Sequence, residues 1–226
     1  MYIYILFEIM FTQSEENYLK AIFHLQQEVE GGVSTSGLSE KLKTKAASVT
    51  EMLKRLAGKK LVDYQKYYGV QLTDKGMQHA LLIVRKHRLW EYFLVECLNF
   101  NWDEVHEVAE QLEHIRSPKL VEELDLFLGR PQYDPHGDPI PDTNGKLPKS
   151  PNKRLSQLQK GERGICKGFN DTSSSFLQFL AKQEIGLGTN LEVLNIESFD
   201  ESMTVLIDKK EIPLSKTATD NIYVED

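Results

Sequence analysis

Apolar residues recur along the first two thirds of the chain at steps of three and four, and beyond residue 152 they fall instead into short alternating runs. Tyr18, Leu19, Ile22, Phe23 and Leu25 predict a first helix, opened by Thr12 or Ser14 and stopped at Gly31-Gly32. Ser34-Thr35-Ser36 caps a short second helix carrying Leu38 and Leu42. After Lys43-Thr44-Lys45 a third helix runs from Ala46 to Leu56, with Val49, Leu53 and Leu56 inward. Leu61 to Tyr64 and Gly69 to Thr73 read as two strands of a hairpin. Helix, short helix, turn, helix and hairpin is the order of a winged helix-turn-helix.

A long helix follows from about Met77 to Leu98. Leu81, Leu82, Val84, Leu89, Trp90, Phe93, Leu94 and Leu98 cover more than one of its faces, so it needs burial on two sides; a twofold dimer supplies that. Asn99 to Asp103 turns into a helix over Val105 to His114, and Ser117-Pro118 opens another to about Phe127. Asp134 to Pro141 is a rigid, Pro-rich connection, and Asn144 to Asn152 reads as a linker. Beyond it, strands are expected at 164–169, 190–196, 203–207 and 222–224, with a short helix over Ser174 to Lys182. The expected fold is mainly α with small β parts. It comprises a winged helix-turn-helix (12–76), a helical domain (77–143), a linker (144–152) and a small β-domain (153–226).

Charge changes the picture of the first of these. The chain carries a formal net charge of -7, yet Ser34 to Gly76 holds Lys41, Lys43, Lys45, Lys54, Arg55, Lys59, Lys60, Lys66 and Lys75 against Glu40, Glu51, Asp63 and Asp74. A basic region inside an acidic protein is the footprint of a phosphate-contacting face. Ala47, Ser48, Thr50 and Glu51 face outward near the start of the third helix. Small and polar side chains let a helix enter the major groove, so Ser48 and Thr50 are expected at bases and Lys45, Lys54 and Lys59 at phosphates. Cys97 and Cys166 stand far apart and in no metal-binding pattern, which fits a reducing cytoplasm; Cys97 is expected in the core. The run Met1 to Phe11 is apolar, but it is too short to span a bilayer and lacks a signal peptide's basic start. Two readings of the run stand: an over-extended start with Met10 as the initiator, or an extra apolar turn packing on the first helix. No membrane partner is expected.

The densest chemistry lies in Val105 to His114. His106, Glu110, Glu113 and His114 fall on one helical stripe beside the apolar stripe of Val105, Val108, Ala109 and Leu112. Upstream, His87 and Glu91 repeat a His/Glu pair at i and i+4. Two imidazoles with carboxylates suit a borderline or hard divalent metal. Two other functions compete. One is a metal-dependent hydrolase or oxidase, for which no general base, substrate loop or phosphate cradle is evident. The other is a winged-helix adaptor that binds protein.

In this order of parts, and in the motifs Arg85-Lys86-His87-Arg88-Leu89-Trp90-Glu91, Val105 to His114 and Asp134-Pro135-His136-Gly137-Asp138-Pro139-Ile140-Pro141, the chain resembles the diphtheria-toxin-repressor family. These are bacterial iron- or manganese-dependent transcriptional repressors, and the resemblance covers about Thr12 to Asp226. It implies a homodimer binding operator DNA of metal-transport genes, a metal-binding dimerisation domain and an SH3-like, FeoA-type last domain. Matched by position, its primary metal site falls on Asn17, Glu110, Glu113 and His114, and its ancillary site on His87, Glu91 and His106. The match has departures. Asn17 stands where iron-type members tend to have Met and manganese-type members Asp, and Glu110 where iron-type members tend to have Cys. Lys20 stands where some manganese-type members are acidic. The primary set lacks soft sulfur, which tilts the expectation to Mn(II), with Fe(II) close behind.

Overall fold

The computed structural model describes residues 11–29, 31–65, 68–149 and 153–225. The expectation about Met1 to Ile9 lies outside them. The described residues gather into two compact units: those within 11–87, 113–116 and 141–146, and those within 88–112, 117–140 and 147–225.

In the first unit, helix α1 (Gln13–Glu28) begins at Thr12 rather than Ser14. Thr12 Oγ1 accepts from the Glu15 amide while the Glu15 carboxylate accepts from the Thr12 amide. Ser34 caps α2 (Thr35–Lys41), its hydroxyl accepting from the Gly37 amide at 3.0 Å. Helix α3 (Ala46–Gly58) buries Val49, Leu53 and Leu56, the stripe the periodicity predicts, and Leu19, Ile22 and Leu38 of α1 and α2 are buried as completely. Strands β1 (Val62–Gln65) and β2 (Gly69–Leu72) pair antiparallel from Val62↔Leu72 to Gln65↔Gly69, and Val33 bridges to Val70. The result is a winged helix-turn-helix.

Helix α4 (Asp74–Leu98) starts three residues earlier than expected. The Thr73 hydroxyl accepts from the Gly76 amide and donates to the Lys60 carbonyl, which ties the helix start to the hairpin. Gly76 is there for space. A Cβ at this position would stand 1.9 Å from the Leu61 carbonyl oxygen. His79, one turn on, is buried edge-on to Phe11 with ring centroids 4.7 Å apart, and its Nε2 has no hydrogen-bond partner. Burial first, and Lys75 second, push its pKa down from 6.5 to about 4.

In the second unit, α5 (Val105–Leu112) and α6 (Pro118–Phe127) accompany the last part of α4. The small β-domain is one antiparallel sheet ordered β3-β8-β4-β5-β6-β7. Its strands are β3 (Lys153–Arg154), β4 (Arg163–Phe169), β5 (Asn190–Ile196), β6 (Met203–Ile207), β7 (Lys210–Leu214) and β8 (Ile222–Glu225), with helices α7 (Ser174–Lys182) and α8 (Lys216–Asp220). Leu177, Leu180, Leu191, Val193, Val205 and Ile222 form its core. The turn before α5 anchors it. Trp102 packs against that core, the Ser174 hydroxyl donates to the Asp103 carbonyl at 2.9 Å, and Gln178 donates to the Asp103 carboxylate at 2.9 Å.

Two expectations are corrected. Cys97 is exposed, because it falls past the last buried residue of α4, Leu94; the buried thiol is Cys166, whose pKa burial pushes up to about 12. Helix α5 ends at Leu112, so Glu113 and His114 lie in the turn beyond it and not on its stripe.

Two outcomes are expected in thermal unfolding. Gly76→Ala lowers stability by about 2 kcal/mol because backbone must move, whereas Gly58→Ala, with open space around it, is neutral or slightly stabilising. His79 has a folded pKa below its unfolded one, so its contribution is complete above pH 6.5 and falls as pH drops from 6.5 towards 4. Between pH 7 and pH 5 the wild type loses about 2 kcal/mol that His79→Gln does not lose.

Candidate metal centre and nucleic-acid interface

The first two turns of α1 carry three functional faces within six residues. Glu15 is fully buried and receives Lys59 Nζ at 2.6 Å and Arg55 Nε at 2.8 Å, both from the end of α3. Burial raises its pKa, but Lys59, the Thr12 amide and Arg55 more than offset this and hold it below its ordinary value. Glu16 receives His114 Nδ1 at 2.5 Å and lies 3.8 Å from Lys86. Lys20 donates to Glu113 Oε2 at 2.7 Å.

Glu113 has no exposed surface. Burial raises its pKa, but hydrogen bonds from His87 Nδ1 (2.6 Å) and Lys20 outweigh that and hold it below its ordinary value. Both bonds fall on Oε2. Oε1 is buried without a hydrogen-bond partner and has His114 Nε2 at 3.9 Å. Asn17, between Glu16 and Lys20 on α1, likewise has a buried Oδ1 with no partner. Because His114 Nδ1–H donates to Glu16, the lone pair is left on Nε2, facing Glu113. Two orphaned oxygens and an imidazole lone pair, with no sulfur among them, match a hard divalent cation. Asn17, Glu113 and His114 were expected from the sequence. Glu16 was not, since an acid in the first turn of a helix reads as ordinary complementation of its dipole.

The second unit holds a separate group. His106 Nδ1 is 3.1 Å from Glu91 Oε1, and His106 Nε2 is 3.7 Å from Glu110 Oε1. Glu91 also converges with Asp134 and His136, all three buried, with one ligand atom from each lying within 4.8 Å of the others. The Asp134 carboxylate accepts the His136 and Asp138 amides, which folds the Pro-rich motif into a turn. A Cβ on Gly137 in that turn would stand 2.2 Å from the Lys167 carbonyl oxygen, so only glycine lets it close onto β4. His136 Nε2–H donates to the Trp102 carbonyl at 2.7 Å, leaving the Nδ1 lone pair on the Asp134 side, 3.8 Å from Oδ1. Burial, Asp138 and Glu91 push the Asp134 pKa well above its ordinary value, and Arg88 opposes them. Asp134 and His136 stood in a motif that the sequence showed as a rigid connection and as part of the family resemblance, with no ligand role given to either; the carboxylate and imidazole two residues apart were the available signal.

On α3 the exposed residues include Ala47, Ser48, Glu51 and Lys54, with Lys45 immediately before the helix. Thr50 is half-buried and donates to the Ala46 carbonyl, which leaves its oxygen able to accept. Beside them a cleft of about 480 Å³ is lined by Ser34, Thr35, Thr50, Lys54, Tyr64 and Tyr68 among others. Lys59 differs from expectation: its ammonium is engaged by buried Glu15 instead of facing outward.

Comparison with known proteins agrees with this architecture. Residues 10–70 match the iron dependent repressor N-terminal DNA binding domain, 73–142 the iron dependent repressor metal binding and dimerisation domain, and 153–226 the FeoA domain. A solved manganese-dependent transcriptional repressor in complex with manganese is similar at 38% identity and a TM-score of 0.85, over 93% of this chain and 99% of that one. An HTH-type transcriptional regulator of Methanocaldococcus jannaschii is 36% identical over 52% of this chain and 94% of its own. The iron-dependent repressor IdeR of Mycobacterium leprae is 33% identical over 58% of this chain. The chain spans 56% of that repressor's length and 30% of a probable metal transport system membrane protein of Chlamydia trachomatis.

Proposed function

Because the chain belongs to the diphtheria-toxin-repressor family, whose members are DNA-binding transcriptional repressors and not enzymes, we propose that it represses metal-transport genes when Mn(II) or Fe(II) is bound. One observation carries this reading. The helix that grips the end of α3 through Glu15 also carries Glu16 and Lys20, which engage the turn holding Glu113 and His114.

In this reading Asn17, Glu113 and His114 would hold the primary ion; the family resemblance adds Glu110, which lies 3.7 Å from His106, and gives His87, Glu91 and His106 to an ancillary ion. Glu91, Asp134 and His136 offer a further buried set for the same class of ion. A bound ion would supply the positive charge that Glu113 Oε1 and Asn17 Oδ1 lack, and these residues would then hold α1 to the 113–114 turn. Glu16 keeps His114 in the tautomer that presents Nε2. Glu15, Arg55 and Lys59 pass the position of α1 to the recognition helix. Fixing that helix raises DNA affinity, since less binding energy is lost to ordering, and metal and operator affinities are reciprocally coupled.

The DNA face comprises Lys45 and Lys54 at phosphates, Ser48 and Thr50 at base edges, and Ala47 and Glu51 at the groove. A homodimer presents two such helices to half-sites about 34–36 Å apart. Exposed Leu98, Leu120, Leu126 and Phe127, on α4 and α6, offer the apolar surface for it. No helix among the described residues is long and apolar enough to cross a membrane, and operator binding assigns the protein's work to the cytoplasm.

Operator binding measured at buffered free Mn(II) tests the reading. Mn(II) activates the wild type, Glu113→Ala and His114→Ala abolish activation, and His87→Ala weakens it. Metal-independent binding by the wild type, or a normal response from Glu113→Ala, would refute the metal role. Salt titrations test the DNA face: Lys54→Ala weakens binding to every sequence and lowers the salt slope by about one, while Thr50→Ala changes sequence preference. A Lys54→Ala protein with altered preference and an unchanged slope would reverse those assignments.

A further inference from the structure

Lys20 carries a buried positive charge in the first unit. Its side chain is only 10% exposed, and Nζ lies 2.7 Å from Oε2 of a carboxylate that has no exposure at all. That same oxygen accepts His87 Nδ1 at 2.6 Å. The two oxygens of Glu113 are therefore unequal. Oε2 is supplied from within the protein, and Oε1 is buried without a hydrogen-bond partner, as is Asn17 Oδ1, one turn before Lys20 on the same face of α1.

We propose that Lys20 is a built-in counter-cation that sets the affinity of this site for a divalent metal. The proposal rests on Glu113 and His114 being ligands. In the metal-free protein the ammonium compensates the buried carboxylate, which would otherwise be costly to keep charged away from water. It does so from Oε2 and leaves Oε1 open. When a dication reaches Oε1, the ammonium on the other oxygen of the same carboxylate opposes it, and in a poorly solvated site that repulsion is weakly screened. Lys20 thus keeps the apo site folded and raises the free-metal concentration at which it fills. An uncharged side chain in its place reverses both effects.

The test is calorimetric titration of full-length protein with MnCl2, without DNA. Lys20→Met removes the charge. Lys20→Gln removes it but keeps N–H donors for Glu113, and Lys20→Arg keeps it. Both neutral variants bind Mn(II) roughly tenfold tighter or more, and Lys20→Arg stays near wild type. Their metal-free forms melt lower and gain more on adding Mn(II). Circular dichroism confirms the fold, and if Lys20→Met does not fold, the comparison of Gln with Arg decides. Unchanged or weaker Mn(II) binding by folded Lys20→Gln overturns the proposal. Glu113→Gln and His114→Ala distinguish the two levels of failure: if neither loses an equivalent of bound Mn(II) relative to wild type, the ligand assignment is wrong. If both lose that equivalent while Lys20→Gln binds like wild type, only the role of Lys20 is wrong.

Discussion

A carboxylate cut off from water must find positive charge or give up its own. Glu113 is in that position, and much of the first unit's site follows from it. Lys20 and His87 reach it from two helices, and both use the same oxygen. Helix α5 stops one residue short of it, so Glu113 lies in a turn facing them instead of on a surface stripe. The compensation is partial by construction. Enough cation is built in to hold the acid in place, and one buried oxygen is left over. A site that was fully satisfied would have no use for an ion, and one left wholly uncompensated would not stay folded without it.

The winged helix was legible from the sequence because its core is local: apolar steps of three and four, a cap at Ser34, and a hairpin spaced by its turn. The outward residues of α3 followed from the same periodicity. The candidate site was legible only as ligand types. Lys20 and Glu113 are 93 positions apart, and nothing in the sequence around either announces the other. Lys59 illustrates a second limit, since a lysine near a recognition helix looks like a phosphate contact until a buried partner is seen. Strand β7 was missed because Pro213 and a charged start argue against a strand. It lies at the edge of the sheet, where a missing N–H is tolerated.

The second unit solves a similar electrostatic problem with another device. Glu91, Asp134 and His136 are all buried, and Arg88 stands 3.7 Å from Asp134 and 3.5 Å from Asp138 while donating to the Pro139 carbonyl. The Pro-rich turn is thus held by an arginine on one side and by β4 on the other. Trp102 joins this turn to the β-domain: its carbonyl receives His136 and its ring meets Phe169 at 5.4 Å. The β-domain is accordingly part of the wall around that carboxylate group.

Glu15 has a consequence for how the protein breathes. Helix ends ordinarily fray, and their amides exchange with solvent deuterium early. Here one buried carboxylate both closes the cap on Thr12 and receives Arg55 and Lys59 from the recognition helix. Opening the first turn of α1 would part a buried acid from both of its cations, so it is coupled to the far end of α3. The beginning of α1, where amide protection would normally be weakest, becomes a place where two helices loosen only as one.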